Sequence, residues 1–285
     1  MNEVPPLPTF LKWAGGKRRI LAALEPLFPE KIDRYFEPFL GGGSVFFYIK
    51  EHYDPKFCMI SDINADLVLA YKIVRDDPQS LLKELVKFKN RDSSEFYYRT
   101  RDKFNSGYLK GVVRAASFIY MNKACYSGLF RVNSRNEFNV PYGNYKRATM
   151  FDKETILHAS SLLQGVHIEH LDYRAVSKQI CKGDFVYLDP CYDPIKRTSF
   201  VQYTPDKFSD MDRQNLASFV KEIDRKGGKV LLSNNDLEAV RELYPTKFNF
   251  GQITAPRSLG ARLGADSKIV ELAISNYPMK PALAF

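Results

Sequence analysis

Three consecutive glycines, Gly41-Gly42-Gly43, separate a short apolar stretch from a longer periodic one, and they restrict the fold more than any other feature of the chain. Tyr35-Phe36-Glu37-Pro38-Phe39-Leu40 reads as a strand, and residues 45 to 52 as a helix. Strand, glycine turn and helix in that order open a nucleotide-binding βαβ unit, where residues without Cβ let the backbone approach a ligand. The third glycine of the dinucleotide fingerprint is missing, since Val45 and Phe46 follow Ser44. A cofactor without a pyrophosphate therefore suits the turn better than one that carries it.

The pattern continues as an open α/β sheet. Residues 57 to 60 form a second strand that runs into Ser61-Asp62-Ile63-Asn64, and a helix over 65–74 follows, with Leu67, Ala70, Tyr71 and Val74 on one face. In such folds an acid at the tip of the second strand, about twenty residues beyond the glycines, holds ribose hydroxyls. Asp62 is also placed to cap the helix after it. Residues 166–169 form a strand ending in His170-Leu171-Asp172-Tyr173, and 184–188 another. Its run Phe185-Val186-Tyr187-Leu188 delivers Asp189-Pro190-Cys191-Tyr192 to the C-terminal edge of the sheet. A carboxylate, turned carbonyls and a ring then stand where open sheets carry their chemistry; an acid beside a proline is also an ordinary turn. Ser209 is a fitting N-cap for a helix over 211–226, which Gly227-Gly228 stops, and a strand at 229–233 follows. Strands at 248–254 and 269–274 succeed one another with no helix between them. They imply an antiparallel pair at the end of a mostly parallel sheet.

Two segments fall outside this alternation. Ahead of the first strand, Phe10-Leu11-Lys12-Trp13-Ala14-Gly15-Gly16-Lys17-Arg18 gathers the lone tryptophan, paired glycines and basic residues. It offers a ligand a stacking face and a charge, or is a plain loop before a helix. From 78 to about 123 the apolar spacing is helical, and between Cys125 and Tyr145 periodicity stops while arginines, asparagines and aromatics mix with turn residues. Residues 91–150 hold eleven Lys or Arg against four Asp or Glu, an excess of seven in a chain whose net charge is +9. That concentration is the footprint of a nucleic-acid surface, and arginine, asparagine and aromatic groups are the side chains that read bases and fill gaps in a stack. A β-hairpin with a decorated surface is the alternative.

The remaining composition narrows the classes. The chain's 285 residues suit one large domain, or one domain carrying an insertion. No apolar run approaches the ~18 residues of a membrane span, no secretory signal opens the chain, and the cytoplasm is the expected location. Cys58, Cys125, Cys181 and Cys191 are scattered, with no spacing for zinc, so no metal is expected.

Phe-Leu-Lys-Trp-Ala-Gly-Gly-Lys at 10–17, Phe-Glu-Pro-Phe-Leu-Gly-Gly-Gly-Ser at 36–44, Asp-Ile-Asn at 62–64, Glu-Phe-Asn-Val-Pro-Tyr-Gly at 137–143 and Asp-Pro-Cys-Tyr at 189–192 occur in order. Together they resemble the Dam-type DNA adenine N6-methyltransferases, over nearly the whole chain. The resemblance implies a Rossmann-like α/β fold with a seven-stranded sheet, helices on both faces, and a mostly helical target-recognition insertion with a β-hairpin. Residues 1–75 and 151–285 would form the catalytic domain and 76–150 the insertion. The implied cofactor is S-adenosylmethionine, held by Trp13, Ala14, Gly15, Lys17, Glu37, Pro38, Phe39, Gly41, Gly43, Ser44, Asp62, Asp172 and Asp189. Asp189, the carbonyl of Pro190 and the ring of Tyr192 would receive an adenine flipped from double-stranded DNA. Lys12 and Arg131 would contact guanines, Leu129 and Pro141 thymine, and Tyr126 would fill the vacated space. Arg101, Asn133 and Asn139 would contact phosphates or position their neighbours. The implied target is GATC, and the protein would act as a monomer. Ser127 and Asn144 stand where the best-known relatives carry asparagine and arginine, and Cys191 stands in place of the family's second proline. That last change motivates a catalytically silent DNA-binding relative as an alternative, with N4-cytosine methylation as another.

Overall fold

The computed structural model describes residues 7–145, 150–190, 209–256 and 268–279. In chain order the regular elements are α1 (Leu21–Leu24), β1 (Arg34–Glu37), α2 (Ser44–His52), β2 (Phe57–Asp62), α3 (Ala65–Asp76), α4 (Pro78–Lys89), α5 (Ser94–Asn105) and α6 (Gly111–Ala124). There follow α7 (Lys153–Leu163), β3 (His167–His170), α8 (Tyr173–Val176), β4 (Phe185–Leu188), α9 (Asp210–Arg225), β5 (Lys229–Asn235), α10 (Glu238–Arg241), β6 (Asn249–Pro256) and β7 (Lys268–Ser275). The seven strands form one sheet in the order β3-β2-β1-β4-β5-β7-β6. Only β7 runs against its neighbours, β5 and β6. The expected antiparallel closing pair is present, with β7 inserted between its predecessors.

Alternation along the strands builds two cores. Tyr35, Phe185 and Tyr187 face one side of the sheet, while Phe36, Val186 and Leu188 face the other. The first core is covered by α1, α2, α3 and α7 and runs on without a break into α4, α5 and α6. The second is covered by α9, with Val176 of α8 and Val240 of α10. Strands buried on both faces must be apolar throughout, which is why β4 reads Phe-Val-Tyr-Leu rather than alternating with polar residues.

The caps explain where helices begin. Ser209 accepts from the Asp212 amide, and Asp212 reaches back to the Ser209 amide, completing a capping box on α9. At α3 the cap is Asn64, whose Oδ1 accepts from the amides of Asp66 and Leu67 at 3.0 and 3.1 Å. Asp62 does not cap that helix: it is the last residue of β2 and lies two residues too early. The hairpin expected between Cys125 and Tyr145 exists in reduced form, held by the isolated bridges Cys125–Tyr142 and Val132–Phe138.

Candidate functional site

Strand order reverses between β1 and β4, because the chain winds outward from β1 to β3 and then returns to continue beyond β4. The C-terminal ends of β1 and β4 therefore diverge around a crevice, the place where doubly wound sheets hold ligands. Glu37 ends β1, and Asp189 follows β4. Pro38 and Phe39 lead from β1 into the glycine turn, and the Phe39 ring packs on Tyr173 with centroids 5.0 Å apart.

Asp62 braces the turn from the neighbouring strand. Its Oδ2 accepts from the Gly41 amide at 3.1 Å and its Oδ1 from the Asn64 amide at 2.9 Å. The Tyr71 hydroxyl of α3 donates to the Gly41 carbonyl at 3.3 Å. Gly41 and Gly43 lie at φ 49° and 67°, and Gly43 sits just ahead of Ser44, the first residue of α2. A Cβ on Gly41 would stand 2.8 Å from Trp13 Cδ1, so glycine here admits the indole as well as the left-handed backbone.

Lys17 joins the N-terminal loop to both sides of the crevice. Its ammonium lies 2.7 Å from Asp189 Oδ1 and donates to the Gly15 carbonyl at 3.0 Å. It also stands 3.4 Å from Glu271 Oε2 on β7. The lysine side chain is only 3% exposed. Burial works against its charge, but Asp189 and Glu271 outweigh that and hold its pKa above the ordinary lysine value. Beneath them Glu37 is buried and accepts from the Tyr35 hydroxyl at 2.6 Å. Burial pushes the Glu37 carboxyl well above the usual range, with Asp189 and Asp62 adding to the shift. Burial also raises Asp62 and Glu271. Glu37 thus couples electrostatically to Asp189 and Asp62, and Lys17 to Asp189 and Glu271, so that four carboxyl groups and one ammonium share this region of the sheet.

The loop carrying Lys12 is pinned to α6. Buried Asn122 accepts from the Lys12 amide at 2.8 Å and donates to the Lys12 carbonyl at 2.7 Å. Trp13 stacks on Phe130, centroids 5.5 Å apart and 19° between planes, so the indole bridges the glycine turn and the insertion. The Lys12 ammonium lies 5.0 Å over the Tyr145 ring, and the Tyr145 hydroxyl accepts from the Ser127 amide. Ser127 itself holds φ 57°. Nearby, burial and the Lys12 charge push the Lys123 ammonium down to about 8. Tyr126 is exposed, as is Pro141, and Leu129 is half-buried.

Arg131 and Asn139 meet directly: Arg131 Nε donates to Asn139 Oδ1 at 2.8 Å. Arg101, Asn133 and Asn139 line one depression of about 420 Å³ with Asn105 and Glu137. Asn133 has a turn-holding role that its expected phosphate contact did not include. Its Oδ1 accepts from the amides of Arg135 and Glu137, and its Nδ2 donates to Glu137 at 2.8 Å. Asp172 caps α8 and grips the Arg174 guanidinium at 2.7 and 2.9 Å.

Pro190 is buried at the sheet edge. Cys191 and Tyr192 lie outside the described residues, so the expected stacking ring has no placement here. Among the described residues no cluster of metal-ligating groups occurs, and no helix is long and apolar enough to cross a membrane. Sequence reasoning missed Glu271, Asn122 and Tyr145. A lone acid within Ile269-Val270-Glu271-Leu272-Ala273-Ile274 was the signal for the first, since a buried strand keeps a charge only where it has a partner.

The fold is that of a doubly wound α/β protein with a crevice at the reversal of strand order. Residues 13–259 match the D12 class N6 adenine-specific DNA methyltransferases, and the chain belongs to that family. It is 42% identical to the Type II methyltransferase M.MjaIII of Methanocaldococcus jannaschii, over 96% of this chain and all of that one. It is 39% identical to the Type II methyltransferase M1.LlaDCHI of Lactococcus lactis subsp. cremoris, covering 95% and 96% of the two chains. With the DNA adenine methylase of Serratia marcescens it shares 35% identity, over 92% and 96%.

Proposed function

We propose that the protein transfers a methyl group from S-adenosylmethionine to the exocyclic amine of adenine in double-stranded DNA, within GATC, after flipping the base from the helix. The observation that carries this reading is the convergence of Lys17, Glu37, Asp62 and Asp189 on one crevice at the reversal of strand order. Lys17, the Gly41–Gly43 turn and Asp62 would hold the cofactor, which supplies an electrophilic methyl group when bound. The cofactor's positive sulfonium and amino groups match the acidic lining, and Asp62 suits its ribose hydroxyls. Trp13, Ala14, Gly15, Pro38, Phe39, Ser44 and Asp172 belong to the same lining in this reading.

Adenine's amine is a poor nucleophile because its lone pair is delocalised into the ring, and within a duplex it is out of reach. Asp189 and the Pro190 carbonyl accept its two hydrogens, which favours a pyramidal nitrogen with its lone pair free to attack; Tyr192 stacks on the flipped base. Transfer would then be direct, with no covalent enzyme intermediate; the work of the protein would be alignment and charge, and the proton that the methylated amine gives up would pass by way of Asp189 to solvent. Residues 1–75 and 151–285 carry the chemistry and 76–150 read the target, acting as a monomer. Lys12 and Arg131 contact guanines, Leu129 and Pro141 thymine, Tyr126 the vacated space, and Arg101, Asn133 and Asn139 the backbone. The excess of basic groups in this segment supports an electropositive surface there.

Labelled S-adenosylmethionine and a GATC duplex test the reading: label should reach adenine N6. Asp189→Ala should abolish transfer and leave DNA binding intact. Label on cytosine, none on any DNA, or full activity in the variant would overturn it.

A further inference from the structure

We propose that Glu271 is a positioning residue for methyl transfer, acting through Lys17 to keep the Asp189 edge of the site negative; this rests on the transfer reading above. Methyl transfer moves positive charge from the sulfonium onto the adenine amine, so the amine's surroundings need net negative charge in the transition state. Asp189 alone does not provide it. Its Oδ1 lies 2.7 Å from the Lys17 ammonium, and the two groups together are neutral.

Four described groups face Asp189 from the elements around it: Lys17 from the N-terminal loop, Glu271 from β7, Glu37 from β1 and Tyr187 from β4. Burial raises the pKa of Glu37 and of the Tyr187 hydroxyl well above their usual ranges, which disfavours their charged forms. Glu271 therefore adds a second carboxylate to the ammonium that Asp189 already holds. Its Oε2 stands 3.4 Å from the same ammonium and accepts no hydrogen bond among the described residues. Two carboxylates then share the one ammonium, at 2.7 and 3.4 Å. The position is rigid, since Glu271 pairs with Asn235 of β5 on one side and Ile253 of β6 on the other. Among the described residues no donor hydrogen-bonds Glu271 Oε2, and its ion pair with Lys17 links β7 to the Asp189 edge.

Glu271→Gln keeps the shape and removes the charge. Steady-state transfer to a GATC duplex should show kcat lowered about ten- to hundredfold, with KM for cofactor and DNA changed by less than about threefold. Glu271→Asp should keep kcat within about tenfold of wild type. The gap between wild type and Glu271→Gln should close as pH falls, because wild-type Glu271 then takes up a proton and loses the charge that distinguishes it. An unchanged kcat, a loss confined to KM, or a gap constant with pH would overturn the inference. Should the amide variant fail to fold, a folded Glu271→Asp as inactive as an unfolded chain would overturn it as well. A wild type without transfer sinks the underlying reading; an active wild type matched by Glu271→Gln sinks only the role of Glu271.

Discussion

Gly43→Ala should cost the protein about 2–5 kcal/mol, in two separable parts. The first is conformational. Gly43 holds φ 67°, and a residue with Cβ in the left-handed region loses roughly 1–2 kcal/mol. The second is steric: the new Cβ would lie 2.5 Å from the Tyr71 hydroxyl oxygen, on a ring that is fully buried and has no room to swing away. Overpacking of that kind costs about 1–3 kcal/mol. For a domain of this size the sum lowers the melting temperature by about 5–15 °C, measurable by circular dichroism. Tyr71→Phe removes the offending atom and leaves the ring carbon at 3.3 Å and Phe47 Cε2 at 3.4 Å, contacts that small shifts absorb. In that background the cost of Gly43→Ala should fall to the conformational part alone, read as a double-mutant cycle. Gly15→Ala is the control, with φ 78° and nothing within 4 Å of the added carbon. A Gly43→Ala variant melting within about 2 °C of wild type, or a cost identical in both Tyr71 backgrounds, would refute the reasoning.

Arg131→Ala should remove about 1–3 kcal/mol of discrimination at one guanine, measured by binding to single-substitution duplexes. Asn139→Ala, which frees Arg131 Nε, should weaken discrimination at the same position and by less; loss at a different base pair would separate the two residues. Glu37→Gln tests the buried carboxyl. Because folding raises its pKa, the folded protein binds this proton more tightly than the unfolded chain does, and stability is lost as pH rises from the ordinary glutamate value of about 4.3 toward the raised one. Melting temperature should therefore fall more steeply with pH in wild type than in Glu37→Gln over that window; parallel curves would contradict the shift.

The glycine turn and the acids around it were legible because short-range chemistry marks them. Glycines ahead of an apolar helical run, and an acid after four apolar residues, are recognisable without knowing what lies across the sheet. Asp62 was legible as an acid beside the glycine turn, and its alternative reading as a cap failed because the preference of Asp and Asn for helix starts leaves two residues competing for one position; backbone geometry chose Asn64. Asn133 reads as a surface contact in sequence, and its turn bonds emerge only once the backbone folds back on it.

Local composition and periodicity determined the elements, their helical or extended character, the antiparallel closure and the places where chemistry could stand, since each of these depends on residues within a turn or a strand of one another. Tertiary structure alone decided that β7 enters between β5 and β6, and so brings Glu271 to the ammonium that Asp189 already holds. It also decided that Asn122 would clamp the Lys12 backbone from 110 residues away. The physical reason is the same in both cases. A buried charge or amide is tolerated only when its partner arrives, and the partner's identity is fixed by how whole elements pack, which no local pattern records.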